Sequence, residues 1–157
     1  MKTVVSQVTS YFSSLFSDPV TININMDWAS LGSGILGQTS NSFYSLNGGY
    51  ASLKSSLASS ETSADDLAMV TNMPASDPIG GTHLEIVTRA QLEALGFNPG
   101  DSSPDANIEF SSTFAFDFDR SNGVTAGTYD FYAVVAHEVS EVMGRILFQG
   151  AVAAAGT

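Results

Sequence analysis

The chain contains no cysteine, only five lysines and arginines together, and two histidines. The first absence excludes disulfides, cysteine-rich zinc modules and thiol nucleophiles. The few basic residues face sixteen Asp and Glu, for a net charge of −11. Such a surface does not neutralise phosphates, so nucleic acid is not expected as a partner, and an anionic membrane is disfavoured for the same reason. No run of eighteen apolar residues is present to span a bilayer. After Lys2, the polar residues Ser6, Thr9 and Ser10 interrupt the apolar ones, so no cleavable signal peptide is legible.

What is present fits one ordinary domain of 157 residues, long enough to bury a core. Hydrophobic residues make up 43% and charged residues 13%, the composition of a globular rather than a disordered chain. An acidic, lysine-poor chain with aspartates in its turns suits a calcium-rich extracellular setting, and a secreted or cell-surface monomer is the expectation. Calcium itself would be held by some of Asp101, Asp105, Asp117 and Asp119, which do not follow the EF-hand loop pattern. Solvated turn and strand-face positions are their plainer reading.

The pattern divides the chain into an N-terminal helix or extension (1–19), a domain (20–148) and a short tail that reads as truncated (149–157). Val4, Val5, Val8, Phe12, Leu15 and Phe16 recur at helical spacing. The opposite face is serine rather than basic, which predicts a helix docked on the domain and not a membrane-surface helix. Val20 to Trp28 alternates as a strand with one buried face. Residues 29–41 are rich in Gly and Ser and read as a loop. Phe43 to Leu57 gives a helical stripe, weakened at Gly48-Gly49, where it can divide into two pieces. A short helix is expected over Ser63 to Val70, with Asp65 and Asp66 near its N-terminus. Leu84 and Ile86 read as a strand. Thr88 and Gln91 are placed as a capping box for a helix that runs to Leu95 and stops at Gly96. Ile108 and Phe110 begin an extended segment, and Phe114, Phe116 and Phe118 alternate as a second strand. Asp130 or Thr128 caps a last helix over about Phe131 to Leu147.

That last helix concentrates the chemistry. It is apolar on most sides, yet carries His137, Glu138, Glu141 and Arg145. A helix of this kind is usually buried, and buried charge is expensive unless it is paired or bound to metal. His137 and Glu141 are four residues apart and share a face. Glu138 adjoins His137. Two ligands at i and i+4 beside a glutamate follow the logic of an HExxH zinc helix.

The stretch Ala136-His137-Glu138-Val139-Ser140-Glu141-Val142-Met143-Gly144 resembles the AHEIGHALG helix of bacterial zincin metalloproteases, particularly the metzincin-like ones. The order of elements over about residues 20–146 is also similar, although only the helix is specific. The resemblance implies that 20–148 is a metalloprotease-like domain of α+β fold, with a small twisted mixed sheet packed against a long helix and the active-site helix, as in the zincin N-terminal subdomain. It implies zinc-dependent peptide-bond hydrolysis of a polypeptide substrate, with His137 and Glu141 as metal ligands and Glu138 as general base. It also implies a cleft, expected along Phe114–Phe118. The sequence departs from the family pattern in three ways. Glu141 stands where the family has its second histidine, Leu147 stands at the position of the third, and no methionine turn is recognisable downstream.

Two other readings stand beside this one. In the first, the helix belongs to an inactive scaffold or secreted binding module, with Glu138 and Glu141 satisfied by Arg145 and other protein groups. In the second, the chain is a fragment of a larger protease whose remaining ligands lie elsewhere. His83, the other histidine, reads as a surface strand residue and is the one spare imidazole for a metal site. Ser140 sits one turn from His137, but no GxSxG elbow accompanies it, so a serine hydrolase is not expected.

Overall fold

A computed structural model describes residues 1–80 and 85–146. His83, Leu84 and the tail from Leu147 onward lie outside the described residues. The architecture is mixed α+β, with five α-helices and small sheets among the described residues.

The main sheet is three-stranded. Strand β1 (Ile24–Ala29) runs parallel to β5 (Ala106–Ser111), and β2 (Gly37–Asn41) lies antiparallel on the other side of β5. Met26 pairs with Ile108 and Trp28 with Phe110. Strand side chains alternate between faces, so Ala106, Ile108 and Phe110 all point into the core and are buried. Helix α5 (Phe131–Val142) covers that face with Phe131, Val135, Val139 and Val142, which recur at helical spacing and are all buried. Helix α1 (Lys2–Leu15) adds Val4 and Val8 to the same cluster. It is therefore a docked helix, as its serine face predicted. Aromatic rings close one end of the core. Trp28 stacks on Phe131 with ring centroids 5.4 Å apart, while Phe110 and Phe118 reach the same ring at 4.9 and 4.8 Å.

A second, smaller core forms around Leu46, Val87 and Leu92. It joins the two-stranded pairing of β3 (Phe43–Ser45) with β4 (Ile86–Thr88) to helices α2 (Gly49–Ser60) and α4 (Arg89–Ala94). The capping box forms as expected: Thr88 accepts from the Gln91 amide, and Gln91 reaches back to the Thr88 amide. Helix α3 (Ala64–Asn72) begins with a second box, made by Ser63 and Asp66.

Four expectations are corrected. Residues 29–41 are not all loop, because β2 occupies Gly37–Asn41. The Phe43–Leu57 stripe does divide at Gly48-Gly49, but only its second piece is helical, because Phe43–Ser45 forms β3. Gly48, at φ 91°, turns the chain between β3 and α2. The Phe114–Phe118 strand shrinks to β6 (Phe116–Asp117), paired with β7 (Tyr129–Asp130). The cause lies in Asp117, whose carboxylate accepts from the Asp119 and Thr125 amides and the Thr125 hydroxyl and curls the chain after two residue pairs. Finally, α5 ends at Val142 rather than Leu147. Gly144 adopts φ 99°, a left-handed stop, and its bare Cα lies against the Gln91 side chain.

Candidate active site

Asp130 accepts from the Tyr132 amide at 3.0 Å and starts α5, of the two caps expected. From there the helical repeat turns His137 and Glu141 outward and Glu138 inward. His137 Nε2 and Glu141 Oε1 lie 3.1 Å apart, with side chains 55% and 28% exposed. Glu138 is 5% exposed, and burial holds its carboxyl above the ordinary glutamate range.

The groups that meet Glu138 come from β2. Its inward positions are Gly37, Thr39 and Asn41, and all three face α5. The Thr39 hydroxyl lies 2.7 Å from Glu138 Oε2 and 3.2 Å from the Glu138 carbonyl. Asn41 Nδ2 donates to the Glu141 carbonyl at 3.3 Å. A Cβ on Gly37 would stand 2.6 Å from Glu138 Oε1, so no other residue fits there without moving the carboxylate. None of these three was legible as a site residue. Their signal is the period-two run Gly37-x-Thr39-x-Asn41, polar where a strand facing a helix is ordinarily apolar.

Arg145 does not pair with Glu138 or Glu141. Its Nε donates to Ser140 Oγ at 2.6 Å and its Nη2 to the His137 carbonyl at 3.4 Å, so it staples the end of the helix. Ser140 in turn donates to the His137 carbonyl.

A cleft of about 400 Å³ opens between the Gly34–Gly37 segment and the α5 residues Ala133, Val134, His137 and Glu138. It thus runs beside β2, and not along Phe114–Phe118. A larger hollow of about 930 Å³ lies beside α2, near Leu46, Tyr50 and Lys54, and shares no residue with α5.

The donor set at His137 suits zinc in type and spacing. A tetrahedral ion with bonds of about 2.1 Å holds two ligand atoms about 3.4 Å apart, close to the separation of Nε2 and Oε1. The pair supplies two donor atoms. Among the described residues no third His, Cys, Asp or Glu joins them, and His83 lies outside those residues. The four aspartates considered for calcium are otherwise engaged. Asp101 and Asp105 close on Arg89, while Asp117 and Asp119 accept hydrogen bonds from their own loop. No protein-family model, curated protein or solved structure matches this chain.

Proposed function

We propose that the chain carries the active-site helix of a zinc-dependent peptidase, in a domain of the zincin N-terminal type. The observation that supports this reading is the His137–Glu141 pair, two metal-binding side chains 3.1 Å apart on the exposed face of a helix that buries a glutamate beside them.

In this reading His137 and Glu141 hold zinc, and zinc, when bound, polarises the scissile carbonyl as a Lewis acid. Glu138 lines the same cleft as His137. A carboxyl with raised proton affinity suits a group that takes a proton from water and returns it to the leaving amine. Strand β2 is the outer strand of its sheet among the described residues, since β5 pairs with it on one side alone. Its outer row of amides and carbonyls suits an extended polypeptide, which would lie along the cleft by strand addition.

The scaffold reading also has a specific observation in its favour. Glu138 is already bonded to Thr39, and His137 to Glu141, so both helix groups have protein partners. Metal analysis after dialysis against trace zinc separates the two. Near-stoichiometric zinc in the wild type, lost in His137→Ala, supports the peptidase. Peptide hydrolysis abolished in Glu138→Ala then completes the case. Zinc in neither protein leaves the inactive scaffold and the fragment of a larger protease.

A further inference from the structure

The inward face of β2 is unusual for a strand packed on a helix. Such a face is ordinarily apolar, but here it carries Gly37, Thr39 and Asn41. What they share is α5, and two of them meet one side chain, Glu138. A strand selected only to cover the helix would place a methyl-bearing side chain at position 37. That atom would collide with Glu138 Oε1 at 2.6 Å and with Cγ and Cδ at 3.0 Å.

We propose that β2 is a holder for the Glu138 carboxylate, in which the Thr39 hydroxyl ties Oε2 while Gly37 leaves free the space that Oε1 occupies. Thr39 is then a positioning residue. It fixes the rotamer of the group that exchanges a proton, and a carboxylate held by one oxygen from behind keeps the other in a constant place. Its role in a reaction rests on the peptidase reading above, whereas the holding itself does not.

The test is arranged to separate the two. Glutamate is labelled with ¹³C at the carboxyl carbon, and the Glu138 signal is assigned by its loss in Glu138→Gln. At one fixed pH, in metal-free protein, the signal is compared in the wild type, Thr39→Val and Thr39→Ser. Valine matches threonine in shape but has no hydroxyl, so the fold is kept while the hydrogen bond is lost. The expected result is a displaced signal in Thr39→Val that returns to the wild-type position in Thr39→Ser. An unmoved signal in Thr39→Val overturns the holder. On zinc-loaded protein and a peptide substrate, Thr39→Val is expected to lower kcat about tenfold or more with KM and zinc content unchanged, and Thr39→Ser to restore it. Unchanged kcat in Thr39→Val overturns the positioning role. A signal that moves as expected in a wild type that cleaves no peptide upholds the holder and removes the peptidase reading instead.

Discussion

Arg89 Nε lies 3.2 Å from Asp105 Oδ1, and both side chains are shut away from solvent. Around this pair the structure ties three parts of the chain together. Arg89 Nη1 donates to Asp101 at 2.8 Å and to the Tyr44 hydroxyl at 3.0 Å, while Asp105 Oδ2 accepts from the Asn23 amide at 2.6 Å. Helix α4, strand β3 and the entry to β1 are therefore joined through two buried charges.

A buried pair is costly to break because the remaining charge is left without a partner. Arg89→Leu is expected to destabilise the protein strongly, since it abandons Asp105. The double change Arg89→Leu/Asp105→Asn should destabilise less than Arg89→Leu alone. Urea denaturation of the four members of the cycle checks this. Simple additivity would mean the two charges are not coupled.

Glu138 gives a pH prediction. Its folded carboxyl binds a proton more tightly than the ordinary value of 4.5. Between that value and the higher folded one, the folded state holds a proton that the unfolded state has released. Stability therefore falls as pH rises through this window. Glu138→Gln removes the loss, so in metal-free protein its stability relative to wild type should grow from about pH 4.5 upward and then level off. A difference that stays flat across pH would show that Glu138 is not held in a desolvated place.

Helix α1 is tested at two neighbouring sites. Val8 is fully buried against α5, whereas Tyr11 is largely exposed. Val8→Ala should cost about 2 kcal/mol and Tyr11→Ala much less, as read from thermal or urea unfolding. Equal effects would argue that α1 does not pack on α5 through Val4 and Val8.

Gly144 is required on two grounds, its left-handed backbone and the Gln91 side chain against its Cα. Gly144→Ala should cost about 1–2 kcal/mol for the backbone alone, with a further loss from Gln91. Adding Gln91→Ala should recover part of that further loss. Because Gln91 also closes the capping box on Thr88, the comparison is made as a cycle with Gln91→Ala alone; additive effects would leave the backbone conformation to account for the whole loss at Gly144.

Several elements could be read from the sequence because their signal is apolar periodicity or a specific cap. Val4 and Val8 mark the inner face of α1, the alternation through Met26 and Trp28 marks β1, and Thr88 with Gln91 marks the start of α4. The candidate site was legible only on its helix side, where His137, Glu138 and Glu141 stand at recognisable spacing. The strand side was not. A Gly-x-Thr-x-Asn run has no apolar signal, because it is shaped to a carboxylate and a helix backbone rather than to a core. The Phe114–Phe118 pattern misled in the opposite direction. Its rings do alternate, but Asp117 bends the chain locally, and Phe118 is left 45% exposed although its ring still meets Phe131.

The polar inner face of β2 also bears on how its register is chosen. An amphipathic strand is held in place by its apolar set, since a slip of one residue would turn that set outward. β2 has no such set, so hydrophobic burial barely distinguishes one register from the next. A slip by one would instead press Gln38 or Leu36 against the Glu138 carboxylate and take the hydroxyl of Thr39 away from it. The carboxylate thus favours the one register in which a glycine rests against it and a hydroxyl reaches it.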